Sequence, residues 1–412
     1  MSAEEVFLDH TTLADGPGPS ATTDLPAPAA AAAGHASRLP SLTGMRFLAA
    51  LLVFAFHSSL PLPTIRIIQS DGMWHAYYLG ASQAGAFGVT FFFVLSGFVL
   101  TWSARAGDTM PGFWRRRFVK IVPNYVLTWA ISMAFFAAAV TPAWEAVANL
   151  FMLQSWWPNF GVNFSVDTPA WSLGVEAVFY ALFPVLLIGA KRIRSAHLKY
   201  WIVGILAAIV GTVALSYAAL PTSPALPIPD LNGQVSTVQY WFAYVMPIPR
   251  VLDFALGILA ARLVQSGRWR DIGMGRALLL LAVAYFFALH VPYLYGQVVM
   301  CVVPVTLLVA AGAVADVNGR TSWFRSRPLT WLGEISFAFY LLHWVVLSIS
   351  REVLGSALFP DGISLLILAG QLAVTILASW AVYTWFEHPI VRRWSASRRQ
   401  RRRPDATPAG TG

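Results

Sequence analysis

Charge is scarce in this chain. Of its 412 residues only 11% are Asp, Glu, Lys or Arg, whereas 57% are apolar; ordinary soluble domains have a charged share of about 25%. That excludes a disordered chain and argues against a water-soluble globule. Cysteine is nearly absent as well. Cys301 stands alone, which rules out an internal disulfide and any cysteine-based metal cage. A glycine-rich phosphate loop, a zinc-ligand spacing and a nucleophile elbow are also missing, so nothing in the sequence argues for a metal. The first residues carry Glu4, Glu5 and Asp9 where a secretory signal would place a basic segment before an apolar stretch.

Long apolar runs are what the chain does have. A bilayer helix needs about 20 mostly apolar residues, and ten of them would fill about half of this length. Runs bounded by charged or Pro/Gly clusters lie near 42–62, 84–104, 118–140, 170–190, 200–220, 240–262, 277–295, 297–315, 329–350 and 363–386. The pattern predicts an all-α polytopic membrane bundle of about ten transmembrane helices. Seventeen Trp and thirteen Tyr suit a protein with two membrane–water interfaces. Residues 1–41, dominated by Ala and Pro, read as a disordered cytoplasmic tail. Residues 42–390 form the transmembrane domain, and 391–412 a basic cytoplasmic tail suited to anionic lipid.

The net charge of +9 is distributed in a way that argues against a nucleic-acid partner. With the amino terminus inside, 24 of the 28 Lys and Arg fall in cytoplasmic segments, among them Arg115, Arg116, Arg117 and Lys120, and Lys191, Arg192, Arg194 and Lys199. The opposite loops hold only Arg66 and Arg351. Such alternation predicts a multi-pass protein of the cell membrane with both termini cytoplasmic. The outer connection 141–169 contains no Lys or Arg but carries Trp144, Trp156, Trp157, Asn159, Asn163 and Asp167. Aromatic faces beside amide and carboxylate groups can stack on a sugar ring and bind its hydroxyls, as in an acceptor lid; an interfacial aromatic belt is the alternative.

An ionisable group at bilayer depth costs about 2.5–3.5 kcal/mol and needs a partner or a wet cavity. In the first span Arg46 precedes His57 by eleven positions, about 16 Å along a helix and about 20° from the same radial direction. Both are thereby expected to face one cavity at different depths. His57 is the candidate general base, since imidazole titrates near neutrality, although a lone helical histidine is often structural. Glu176 opens the fourth span, and Ser336, Tyr340 and His343 form a polar stripe in the ninth. Arg250 and Asp253 lie one turn apart, a spacing that favours a mutual ion pair. The basic cluster ahead of the third span is either an orientation signal or a docking site for a polyphosphate.

Taken in order, these motifs resemble the acyltransferase-3 family of integral membrane acyltransferases. The likeness rests on Arg46 and His57 with ten residues between them, on Phe91 through Phe98, and on Arg116 and Arg117 leading to Pro123 and Tyr125. It extends through Trp171-Ser172-Leu173 to Glu176, Phe179 and Tyr180, then Arg250, Asp253 and Gly257, then Ser336, Tyr340, Leu341 and His343, and ends at Glu387 and Pro389. The resemblance implies ten helices and an O-acyltransferase that moves an acetyl or short or branched acyl group from cytosolic acyl-CoA, a co-substrate and not a resident cofactor, to a hydroxyl on a sugar-containing acceptor. Such acceptors include glycans, glycolipids and glycosylated secondary metabolites. It implies Arg46 and His57 as the catalytic or orienting pair, with His343 and Glu176 assisting. Arg115, Arg116, Arg117 and Lys120 would then meet the CoA phosphates, and Trp156, Trp157, Asp167 and Tyr340 the acceptor. Where the family commonly has two arginines separated by two residues, this chain has Arg117 and Lys120, which keeps the charge but loses bidentate phosphate geometry. The chain is most similar to the compact actinobacterial sugar O-acyltransferases. Because no hydrolase-like domain is fused to it, direct acylation within the membrane is expected. The competing class is a transporter or flippase of a glycolipid or small solute, but the Arg46/His57 motif has no counterpart half a chain later. An inert scaffold or sensor would have lost that pair.

Overall fold

The computed structural model describes residues 39–104, 107–228 and 234–395. The expected tails lie outside these residues, except that 40–41 already belong to the first helix and 391–395 to the last. Among the described residues fifteen α-helices follow one another: α1 (Pro40–Ser59), α2 (Asp71–Ala81), α3 (Ala84–Trp102), α4 (Met110–Ser132), α5 (Ala143–Leu150), α6 (Phe160–Asn163), α7 (Trp171–Arg192), α8 (Leu198–Ala219), α9 (Thr237–Tyr240), α10 (Pro247–Gln265), α11 (Met274–Ala288), α12 (Met300–Val317), α13 (Arg327–Leu354), α14 (Asp361–Val382) and α15 (His388–Ser395). Among the described residues nine helical runs are long and apolar enough to cross a membrane. The tenth expected span, 277–295, is the shorter α11 of 15 residues, about 22 Å long. The protein is an all-α polytopic membrane bundle.

Its outside is apolar, as lipid requires. Phe118, Val203, Leu279, Leu366 and Leu377 are all more than 60% exposed. The centre is α3, flanked by α1, α10 and α12, with α13 against α1. Where α3 crosses α10 the backbones nearly touch: a Cβ at Gly97 would collide with the Phe254 carbonyl oxygen, and one at Gly257 with the Val94 carbonyl oxygen. Small residues permit this kind of approach between membrane helices. At the start of α1, Asp316 of α12 accepts from the Ser41 backbone N–H at 2.8 Å and from its hydroxyl at 2.7 Å. A carboxylate thus caps the positive end of the helix that carries Arg46 and His57.

Two boundaries differ from expectation for physical reasons. The basic cluster does not precede the third spanning helix. It lies inside α4, which starts eight residues before the expected span because Thr109 caps it, accepting from the Gly112 N–H, and Pro111 occupies its first turn. Helix α2 was expected as loop. Ser70 accepts from the Met73 N–H, and Arg66 pairs with Asp71 at 2.5 Å while lying over the Trp74 ring. This helix covers the outer end of α1 through a bond of 2.7 Å between Tyr77 and Ser58 and a bond from Trp74 to the Ser59 carbonyl.

Arg250 and Asp253 are both 1% exposed and form the expected ion pair at 3.0 Å. Thr90 accepts from Arg250 at 3.1 Å, and the guanidinium lies over Phe93 and Tyr244. Removing one partner of such a pair leaves an uncompensated buried charge. Asp253→Ala is expected to destabilise the protein by about 3–5 kcal/mol, and the double change Arg250→Met with Asp253→Leu by much less. Thermal unfolding in detergent checks both; equal losses would show that the pair is not the source.

Candidate active site

Helices α1, α3, α4, α7 and α13 enclose a cavity of about 180 Å³ whose wall includes Arg46, Ser96, Arg117, Lys120, Glu176, Tyr180, Ser336 and Tyr340. Two carboxylates offset part of its cationic charge. Glu176 accepts from the Ser96 hydroxyl at 2.6 Å and from the Tyr180 hydroxyl. Glu387, 2% exposed, pairs with Lys120 and accepts from the Asn124 amide. A π-helical turn over Tyr383–Glu387, between α14 and α15, carries this carboxylate. Lys120 is therefore committed to Glu387, a pairing across 267 positions.

A second cavity of about 600 Å³ adjoins the first, sharing Leu100 and Arg117 with it, and lies at the helix ends where Arg and Lys collect. Arg116 and Lys191 line it, and Asp108 holds Arg116 at 3.0 Å. Arg115 is exposed and lies on neither wall. Of the four cations expected to act together, Arg117 thus serves both cavities, Lys120 only the inner one and Arg116 only the outer one.

His57 does not share the cavity wall with Arg46. It is 6% exposed and meets His343 instead, Nδ1 to Nε2 at 2.8 Å, with the rings 5.0 Å apart and Trp344 edge-on to His57. One bond sets the tautomers of the pair. His343 Nδ1 lies 3.3 Å from the Phe339 carbonyl oxygen, which can only accept, so the His343 proton sits on Nδ1 and its Nε2 is an acceptor. His57 then donates from Nδ1 and keeps the lone pair on Nε2, which no described residue binds. Tyr340 stands between this pair and the cavity. Its ring is 5.8 Å from that of His343 and edge-on to Phe92, and its hydroxyl bonds Ser172 at 2.7 Å.

In the outer connection the amides expected to bind an acceptor fold the loop. Asn163 donates to the Gln154 and Trp157 carbonyls at 2.7 and 2.9 Å, and Asn159 caps α6. Trp156 and Trp157 are partly exposed, and Trp144 packs against Trp157; none of these lies on either cavity wall. Asp167 is buried, and neither of its carboxyl oxygens has a hydrogen-bond partner. Burial pushes its carboxyl well above the usual carboxylate range. The Gln154 side chain, missed at the sequence level, is likewise buried without a partner. Both lie near the Tyr125 hydroxyl. Four orphaned polar atoms under one loop are costly unless a small polar molecule or a hydroxyl satisfies them. Ser96 and Tyr180 were also missed as site residues. Tyr180 was within reach of sequence reasoning, since it sits four positions after Glu176 on the same helical face.

A family model described as an acyltransferase domain matches residues 39–384. This chain belongs to the acyltransferase-3 family. It is 35% identical to "Acyltransferase MdmB" of Streptomyces mycarofaciens over 90% of this chain and 95% of that protein. It is also 26% identical to "Exopolysaccharide production protein ExoZ" of Rhizobium meliloti, over 76% of this chain and 92% of the relative. Against "Peptidoglycan O-acetyltransferase OatA" of Listeria monocytogenes it is 24% identical over 85% of the chain, but it spans only 56% of that longer protein. No solved structure matches the chain.

Proposed function

We propose that this protein is an acyl-CoA-dependent O-acyltransferase that moves an acetyl or short or branched acyl group to a hydroxyl of a sugar-containing acceptor. The observation that carries this reading is the pair of adjoining cavities, lined with cations at one end and reaching Tyr340, whose ring packs on His343, the partner that holds a proton on His57 Nδ1 and leaves His57 Nε2 as a free base. The names of two relatives, a peptidoglycan O-acetyltransferase and an exopolysaccharide production protein, support a sugar acceptor. The face carrying Arg116 and Lys191 is cytoplasmic, as are both termini. CoA phosphates meet Arg116, Arg117 and Lys191 in the larger cavity, and the pantetheine arm enters the smaller one past Arg117. Arg46 orients the thioester. Asp167 and Gln154 meet the acceptor from the other side, beneath the aromatic surface of Trp156 and Trp157.

His57 Nε2 takes the proton of the acceptor hydroxyl as its oxygen attacks the thioester carbonyl. The tetrahedral oxyanion collapses, the C–S bond breaks, and the departing CoA thiolate recovers the proton from His57. Products are the ester and free CoA. No metal is needed for these steps, because an imidazole base and a guanidinium on the thioester supply acid–base and electrostatic assistance. The test is purified protein in detergent with radiolabelled acetyl-CoA and a panel of sugar acceptors. Label on an acceptor with equimolar CoA release is the expected result. Movement of an unmodified solute into liposomes, without CoA release from acetyl-, propionyl- or isovaleryl-CoA, would overturn it in favour of transport.

A further inference from the structure

The last two turns of α7 present two different faces. Pro184, Leu187, Ile188 and Lys191 line the cavity described above, whereas Val185, Leu186, Gly189 and Ala190 turn away from it into a groove against α8 and α10. The i, i+4 spacing within each set puts the two hollows on opposite sides of one helix. This groove measures about 820 Å³ and has aliphatic walls that include Ile205 and Leu259. It is open at its small residues: a Cβ at Gly189 would meet nothing within 4 Å. Its mouth is different in character. Arg192, Arg194 and His197 line it, with the half-exposed Trp201 beside them, and its lining contains no carboxylate. None of the three basic side chains forms an ion pair with a described residue. Arg262 of α10 donates to the Ile193 carbonyl at 3.1 Å, tying the end of α7 to the groove wall. The positive end of the helical run Ser195–Ala219 lies at the same mouth.

We propose that this groove is a binding site for one anionic phospholipid. An acyl chain fits the apolar walls, and the phosphate meets Arg192, Arg194 and His197. Charge complementarity selects the occupant. A zwitterionic lipid leaves the cationic mouth partly uncompensated, whereas a net negative headgroup neutralises it. The groove is lined by α7, α8 and α10 on the side where exposed apolar residues such as Val185 and Trp201 face the hydrocarbon, so the occupant enters from the membrane. This proposal does not depend on the acyl-transfer reading, because α7 separates the groove from both cavities.

Native mass spectrometry of the full chain, with palmitoyl-oleoyl phosphatidylglycerol or phosphatidylcholine added at equal concentration, tests it. The wild type is expected to retain one phosphatidylglycerol in preference to phosphatidylcholine. Arg192→Gln with Arg194→Gln should weaken phosphatidylglycerol retention by about fivefold per arginine, the effect of one basic residue at a charged membrane surface, and weaken phosphatidylcholine retention less. Gly189→Leu projects into the groove from a position where a Cβ meets nothing within 4 Å and should displace both lipids. Equal retention of the two lipids by the wild type would overturn the proposal. So would a preference that survives the double arginine change, which would place the lipid elsewhere, or one lost there but kept in Gly189→Leu, which would reduce the effect to surface charge.

Discussion

His57→Ala is expected to lower kcat by about 10²–10⁴, the usual loss when a general base is removed, while KM for acyl-CoA changes little. The separation of the two parameters follows from geometry. The cations that hold the donor in the proposed reaction line the cavities, whereas His57 lies on neither wall and meets His343, whose ring packs on Tyr340. His343→Ala should cost less, again in kcat. Without the acceptor at His343 Nε2, nothing holds the His57 proton on Nδ1, and a fraction of the enzyme carries it on the nitrogen that must be free. His343→Gln, whose side-chain oxygen can accept from His57 Nδ1, should recover part of the loss. CoA release under saturating donor measures all three variants. A His57→Ala enzyme of near-normal turnover would remove the base from this site, and a His343→Gln variant no better than His343→Ala would remove the tautomer argument.

Gly97→Val and Gly257→Val are each expected to abolish the accumulation of folded protein. The two glycines face one another's helix backbone: Gly97 faces the Phe254 carbonyl and Gly257 the Val94 carbonyl. A backbone carbonyl cannot rotate aside as a long side chain can, so the added atoms must push α3 away from α10. Ordinary overpacking in a core costs about 1–3 kcal/mol. Here the two helices also hold the Arg250–Thr90 bond at 3.1 Å, which would open at the same time and take a hydrogen-bond partner from a buried guanidinium. Gly211→Val on α8 is the control, because a Cβ there meets nothing within 4 Å. Size-exclusion profiles of fluorescent fusions should show the control monodisperse and the other two aggregated or missing. A monodisperse Gly257→Val protein would show that the crossing can relax.

How far the sequence could be read depended on the range of the interaction concerned. The pairing of Arg250 with Asp253 was legible because both lie on one turn of one helix. The polar stripe of Ser336, Tyr340 and His343 was legible for the same reason. The start of α4 was misplaced because the basic residues looked like a boundary, whereas Thr109 and Pro111 begin the helix ahead of them. Asn163 was read as a ligand for an acceptor because an amide in an aromatic loop can serve that purpose; its partners turned out to be carbonyls of its own loop. Nothing local in the sequence could announce the bond from Lys120 to Glu387 or from His57 to His343, since the partners are 267 and 286 positions apart.

Composition and the alternation of basic loops were enough to establish a bundle of membrane helices. In hydrocarbon each backbone polar group must be satisfied within its own segment, so fold class follows from apolar runs one at a time. Which charges neutralise each other, which side of Tyr340 the imidazole occupies, and which nitrogen carries its proton were settled by helix against helix. Those outcomes depend on rotation about each axis and on contacts a few ångströms long, quantities that no single segment specifies.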